Sequence, residues 1–286
     1  MSKTVLITGT SSGFGRDTAE TLRRAGHTVY ASMRGVESKN REAAEALGKL
    51  GIKTVELDVS DDASVEVGVK TVLTEGGQID VLVNNAGIAS AGVTEAFTTE
   101  QAKAIFDTNV IGLLRVTRAV LPSMRRRHDG LIINIGSILG RVTFPFVGIY
   151  GASKFAVEAL TDSLRYELSQ LGVEVVEIQP SGYPTNFFPN IQIPAGIEVT
   201  ESYGEVGLIP DAMVTSLTAT FEGKDAPNPH DVAEAVVKLV GQVKGSRAVR
   251  TVVGAPFGSD QANEYVAPVQ TKVVEALRLS HLDKVA

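Results

Sequence analysis

Lys3-Thr4-Val5-Leu6-Ile7-Thr8-Gly9-Thr10-Ser11-Ser12-Gly13-Phe14-Gly15 opens the chain with an apolar run, a glycine-spaced turn and the start of a helical pattern. Residues 3–8 read as a strand and residues 13–25 as a helix. Glycine tolerates the backbone angles of a tight strand-to-helix turn and lets that backbone approach a ligand closely. The helix then presents unpaired N–H groups and the positive end of its dipole, which together suit a phosphate. A simple tight turn would need glycine too. The position, after a strand and before a helix near the start of the chain, favours a dinucleotide pyrophosphate.

The same alternation continues outward from this corner. Strands are predicted at residues 28–33, 53–57, 79–83, 131–135, 173–179 and 248–253. Helices are predicted at 40–50, 63–74, 99–126, 150–171 and 230–243, with Pro122 the place for a kink in the third of these. Runs such as Val81-Leu82-Val83 and Leu131-Ile132-Ile133 lack polar alternation. That pattern marks strands buried on both faces, as in a parallel sheet covered by helices. Repeated strand-then-helix order predicts an α/β doubly wound parallel sheet of the Rossmann type in a single domain, residues 1–286. Residues 185–228, rich in Pro, Gly and Phe, break the rhythm and read as a substrate-loop region with one weak helix near 211–221. Residues 261–286 read as a tail with one further helix.

Composition excludes several classes. The apolar fraction of 43% and charged fraction of 21% suit a packed globular chain. A net charge of -6 argues against a nucleic-acid partner. The basic run Arg125-Arg126-Arg127-His128 falls where cations complement a helix C-terminus. With no cysteine, neither a disulfide nor a thiolate nucleophile is available, and no metal site is expected. The first residues make too short an apolar run for a signal peptide, and no stretch reaches the ~18 apolar residues of a membrane span. A cytoplasmic protein with no membrane partner is expected.

The second strand ends Tyr30-Ala31-Ser32-Met33-Arg34, with no acid before Glu37. In a dinucleotide-binding unit this end faces the adenosine ribose, where an acid favours NAD and an arginine accommodates the 2′-phosphate of NADP. The cofactor is therefore expected to be NADP(H), with Arg34 on the phosphate and Ser11 or Ser12 assisting. Leu57-Asp58-Val59 and Asn84-Asn85-Ala86-Gly87 both fall at carboxyl ends of strands, where ligands of open α/β sheets bind. Tyr150 and Lys154 stand four apart, so on a helix they share a face. A nearby ammonium stabilises a phenolate and would lower the pKa of Tyr150 towards a working range.

Taken together, Thr8-Gly9-x-x-x-Gly13-x-Gly15, Asn84-Asn85-Ala86-Gly87 and Tyr150-x-x-x-Lys154 resemble the short-chain dehydrogenase/reductase family, in that family's order, from Thr8 to about Thr185. The resemblance implies a fold, a nicotinamide cofactor and a catalytic set. Ser137, thirteen residues before Tyr150, would orient a carbonyl. Asn109 would hold a water that links Lys154 to solvent. Gly9, Gly13, Phe14 and Gly15 would cradle the pyrophosphate, Asp58 and Val59 the adenine, and Asn85, Ala86 and Gly87 a ribose. Thr185 would meet the nicotinamide amide, although Ser181 stands where the family commonly has Gly. Residues 29–34 are similar to the 17β-hydroxysteroid dehydrogenase-like group, which does not license a steroid substrate.

Phe144, Tyr183 and Phe187 give the flanking segments an aromatic character, so the expected substrate is an apolar or aromatic ketone or aldehyde, or the matching alcohol. Two other readings are weighed. A non-catalytic cofactor sensor or scaffold of this fold would be expected to lack the tyrosine or lysine. A sugar-nucleotide epimerase would need more substrate domain than about 100 residues after Thr185 provide. The resemblance also implies pairing through the two long helices, as a homodimer or homotetramer.

Overall fold

The computed structural model describes residues 2–186 and 188–286. Seven strands, β1 (Thr4–Thr8), β2 (Thr28–Met33), β3 (Lys53–Glu56), β4 (Val81–Asn84), β5 (Gly130–Ile135), β6 (Val173–Pro180) and β7 (Arg250–Val253), form one sheet in the order β3-β2-β1-β4-β5-β6-β7. Every pairing is parallel. The apolar runs explain this: β4, β5 and β6 are buried at every residue, so both faces need a helical cover.

One face packs against α1 (Gly13–Arg24), α2 (Arg41–Lys49) and α9 (His230–Gly241), through Leu22, Leu47 and Val236 among others. The other packs against α3 (Asp62–Gly76), α5 (Gly112–Arg127) and α6 (Gly148–Ser169), through Val69, Val120 and Leu164. The chain reverses direction across the sheet between β1 and β4. Their carboxyl ends therefore splay outward and leave the crevice in which ligands of such sheets sit.

The predicted helix at 99–126 is broken, but not at Pro122. It runs as α4 (Thr99–Phe106), one wide π turn (Asp107–Ile111) and α5, and α5 continues through Pro122 to Arg127. The wide turn inserts a residue and carries Asn109 inward, a device common at functional sites. The weak helix expected near 211–221 is α8 (Ile209–Ala219), and the region 185–228 adds two shorter elements, α7 (Ile197–Ser202) and a 3₁₀ turn (Gly204–Leu208). Elements this short have too few turns to show a helical period. The tail forms α10 (Ser259–Ala276), and its last residues return to α6, where Ala286 N donates to Ser169 O at 2.9 Å. Among the described residues no helix is long and apolar enough to cross a membrane, and no cluster of potential metal ligands forms.

Candidate active site

The corner after β1 is held by close backbone packing. Gly9 has φ +70, and a β-carbon there would lie 2.8 Å from the α-carbon of Ala86. A β-carbon on Gly15 would lie 2.4 Å from both Gly9 O and Asn85 Nδ2. No larger residue fits either place. Thr8 and Asn85 lock β1 to β4: Thr8 Oγ1 accepts from the N–H groups of Asn85 and Ala86, and Asn85 Nδ2 donates to Thr8 O and Gly9 O, at 2.8–3.0 Å. Asn85 is thus first of all a brace for the glycine loop. Ser12 precedes α1 without capping it through its side chain, so the helix N-terminus keeps N–H groups for an anion.

A cavity of about 590 Å³ runs from this corner across the carboxyl ends of the strands. Its lining includes Gly9, Ser11, Ser12, Gly13, Phe14, Arg34, Asp58, Val59, Asn85, Ala86 and Gly87 at one end. Ser137, Phe144, Tyr150, Lys154, Tyr183 and Thr185 border the other part. Gly15 and Asn109 lie behind the wall. Phe187 lies outside the described residues.

At the β2 end Arg34 faces Asp58 at 3.7 Å. Burial would raise the Asp58 carboxyl, but bonds from Ser60 and the charges of Arg34 and Lys39 bring it below the usual range. Lys39, which borders the cavity beside Arg34, was not singled out by sequence reasoning because it lies past the strand. An acid is also present here. Glu56 of β3 accepts from Gly35 N and Val36 N, both at 2.7 Å, so its charge is absorbed by the backbone.

The catalytic candidates converge at the first turns of α6. Tyr150 is 8% exposed and Lys154 7%. Ser137, just past β5, hydrogen-bonds the Tyr150 phenol, and its Oγ also accepts from Leu139 N at 3.1 Å. Lys154 Nζ donates to Ile135 O at 2.9 Å and stands 5.7 Å from the Tyr150 ring centroid. Asn109 Oδ1 accepts from Ile88 N at 2.8 Å, and its Nδ2 donates to Ile88 O at 2.9 Å and to Ser153 Oγ at 3.0 Å. Ser153 Oγ donates onward to Tyr150 O at 2.6 Å. Both polar groups of the Asn109 side chain are thus spent on fixing the strand end and α6.

One expectation is reversed. Burial pushes the Tyr150 phenol up to about 12, only partly offset by the bond from Ser137. Burial also draws Lys154 down to about 8, opposed by the charge of Glu177. The ammonium is anchored on a carbonyl beside the ring, and desolvation outweighs its effect on the phenol. A phenol held protonated is suited to donating.

Tyr183 is also repositioned. Its ring is 1% exposed, edge-on to Phe14 at 5.6 Å, and its hydroxyl points to Asp231 of α9 at 3.4 Å. It borders the cavity from within the core, and burial and then Asp231 push it up to about 12. The outer wall instead takes Met213 and Leu217 from α8 and Phe257 from the loop before α10. Phe257 packs edge-on against Phe144, centroids 5.4 Å apart. No sequence period marks these three, because the tertiary fold brings them to the cavity from far along the chain.

A family model described as short chain dehydrogenase matches residues 3–194. A 3-ketodihydrosphingosine reductase from Bacteroides thetaiotaomicron is 35% identical over 251 residues, 87% of this chain and 87% of that one. Retinol dehydrogenase 8 from Bos taurus is 34% identical over 261 residues, 87% of this chain and 81% of the relative. Among solved structures, a short-chain dehydrogenase from Streptomyces avermitilis superposes with a TM-score of 0.78 at 29% identity, covering 98% of both chains. Structural neighbours include complexes with NADPH and with NADH.

Proposed function

The chain belongs to the short-chain dehydrogenase/reductase family of oxidoreductases, and on that footing we propose that it interconverts an apolar carbonyl and its alcohol with NADP(H), Tyr150 moving the proton. The observation that carries this reading is the meeting of Ser137, Tyr150 and Lys154 at one cavity that also reaches the uncapped N-terminus of α1.

The residues present fit a dinucleotide. The glycine corner is a cradle that a β-carbon would fill, and the α1 N-terminus offers N–H donors to a pyrophosphate. When bound, a nicotinamide cofactor supplies or accepts the hydride. Arg34 and Lys39 at the ribose end favour a 2′-phosphate over a bare hydroxyl, because two cations there face the single carboxylate of Asp58. Asp58 and Val59 would face the adenine, and Thr185 the amide of the nicotinamide.

The chain's own residues would then run the proton chemistry. Ser137 Oγ–H and the Tyr150 phenol orient the carbonyl oxygen by hydrogen bonds that strengthen as negative charge grows on it. Tyr150 gives its proton to that oxygen. Lys154 restores the proton to Tyr150, and Asn109 holds the wide turn against Ser153 so that α6 keeps its register. In oxidation the proton moves the other way. Water linking Lys154 to solvent would have to be held by backbone around Asn109 rather than by its side chain, which is already engaged.

The substrate reading rests on the wall. Among the described residues bordering the cavity the cations are Arg34, Lys39 and Lys154, all accounted for. The outer part carries apolar side chains, Leu139, Phe144, Ile191, Met213, Leu217 and Phe257, beside the neutral polar Ser90, Asn186 and Asn190. Such a surface suits an extended apolar ketone, aldehyde or alcohol. Relatives named for 3-ketodihydrosphingosine and for retinol support the same class. A homodimer or homotetramer in the cytoplasm is part of this reading, and light scattering checks the assembly.

The test is a panel of short and long apolar ketones and aldehydes, followed by oxidation of NADPH and of NADH. Turnover of long apolar members with NADPH preferred is expected. Cofactor binding without turnover of any member would favour the sensor reading instead.

A further inference from the structure

Ser137 stands on a short segment that runs on through Ile138-Leu139-Gly140 to Arg141. Beneath it, Tyr150, Lys154 and Glu158 follow at four-residue intervals along α6 and share one helix face. Tyr150 and Lys154 serve the reaction proposed above. Glu158, one turn further on, does not, yet its side chain is only 4% exposed.

Each of the three meets a different part of the segment. Lys154 Nζ donates to Ile135 O at 2.9 Å, at its near end. Ser137 bonds the Tyr150 phenol in its middle. Arg141 closes the far end, with Nη2 at 3.0 Å from Glu158 Oε2. Gly140 lies just before that pair. A β-carbon there would stand 2.8 Å from Glu158 Cγ and 3.0 Å from Lys154 O, so the backbone rests directly on the helix.

Glu158 is a fixed point, whereas Arg141 depends on it. Arg250 of β7 reaches Glu158 with Nε and Asp162 with Nη2, both at 2.7 Å. Gln179 of β6 donates to Glu158. Glu177 of β6 hydrogen-bonds it as well, its carboxyl held well above the ordinary range by burial and then by Glu158. Arg141, by contrast, makes no hydrogen bond through Nε or Nη2 among the described residues, and the charge of Glu158 is what holds it. Gly136, Ser137, Ile138 and Leu139 border the cavity, and Arg141 stands outside that wall. Ser137 Oγ accepts from Leu139 N at 3.1 Å, and Arg141 N donates to Ile138 O at 3.0 Å. A shift at Arg141 therefore passes to the Ser137 hydroxyl through two bonds.

We propose that Arg141 is a positioning residue, whose ion pair with Glu158 clamps the far end of this segment and so aims the Ser137 hydroxyl at the reacting carbonyl. This rests on reading Ser137 as the group that orients the carbonyl. Small errors in such an aim are costly, because a hydrogen bond to growing charge acts only when its donor is already in place. Removing Arg141 leaves Glu158 paired with Arg250, so no buried carboxylate loses its last cation.

The test is a double-mutant cycle on kcat. Arg141→Met, which removes the charge, is expected to lower kcat by roughly 10–100-fold with KM little changed. Arg141→Lys, which keeps the charge, is expected to recover most of that loss. In a Ser137→Ala background Arg141→Met is expected to cost nothing further, since the hydroxyl it aims is gone. An equal loss in both backgrounds overturns the proposal. Should Arg141→Met not fold, Arg141→Gln takes its place in the cycle. Hydrogen exchange of residues 136–142, read by mass spectrometry, separates the clamp from the reaction it serves. That segment should exchange faster in Arg141→Met while the sheet stays protected. If Ser137→Ala turns over as fast as the parent chain, the role of Ser137 fails and faster exchange still upholds the clamp. Unchanged exchange removes the clamp even where Ser137→Ala is inactive.

Discussion

The β1–α1 corner and the segment between β6 and α9 border the same cavity, and they are built in opposite ways. At the corner, backbone meets backbone: Gly9, Gly15 and Ala86 touch at distances that admit no extra carbon, and Thr8 and Asn85 tie the strands together. Across the cavity, α8 offers Met213 and Leu217 from a helix whose only buried residue is Pro210. Exposed Ile193, Ile197, Leu208 and Ile209 surround it. On the proposed reading the first region holds the cofactor that every turnover needs, and the second meets the variable end of a substrate with side chains that can be exchanged singly. Changes on the interlocked side should therefore abolish function, and changes on the open side should retune it.

The largest effect is expected from Tyr150→Phe, which removes one hydroxyl from α6, where the cavity passes from one region to the other. A loss of kcat on the order of 10²–10⁴ is expected, with cofactor affinity by fluorescence titration unchanged. Gly15→Ala tests the corner itself. The added methyl meets Gly9 O and Asn85, and a destabilisation of about 1–3 kcal/mol, seen as a lower midpoint in urea, should accompany weaker cofactor binding. Arg34→Asp sits at the cavity's far end. It should weaken NADPH by roughly 10–100-fold and NADH little, by loss of a charge-assisted bond. An unchanged NADPH preference would refute the assignment.

Acidity sharpens the contrast further. With Tyr150 held near 12, the proton lost first on raising the pH is that of Lys154, near 8. The reduction rate should therefore hold through neutral pH and fall above about 8, for every substrate alike. The smallest effect belongs to the open side. Phe257→Ala should raise KM a few-fold for long apolar substrates, by loss of roughly half an aromatic ring's contact, and leave short ones unaffected. Equal losses for short and long substrates would show that Phe257 does not select for length.

Legibility follows the same divide. The glycine corner, Asn84-Asn85-Ala86-Gly87 and the Tyr150-to-Lys154 spacing were readable because each demand is local: a turn, a close approach, one helix face. Arg34 was readable as the end of a strand, but Lys39 and Glu56 beside it were not. Glu56 arrives through the pairing of Met33 with Glu56 across β2 and β3, which no linear spacing announces. Tyr183, whose aromatic neighbours mark it as substrate wall, does border the cavity, but from the core side, where Phe14 of α1 and Asp231 of α9 pack on it. Asn109 was found, but the wide turn that carries it inward was not, since a single inserted residue leaves the apolar period of the helix nearly intact.

The chain's own order of residues determined the strand-and-helix alternation, the parallel sheet, the glycine corner and the four-residue spacing that sets Tyr150 and Lys154 on one helix face. These depend on steric rules and periods that act within a few residues. Tertiary structure alone decided the protonation of Tyr150 and Lys154, the meeting of Arg141 with Glu158, and the wall made by Met213, Leu217 and Phe257. Those properties depend on what is excluded from water and which distant charges and side chains lie across the cavity, and only packing of the whole chain sets desolvation and through-space distance.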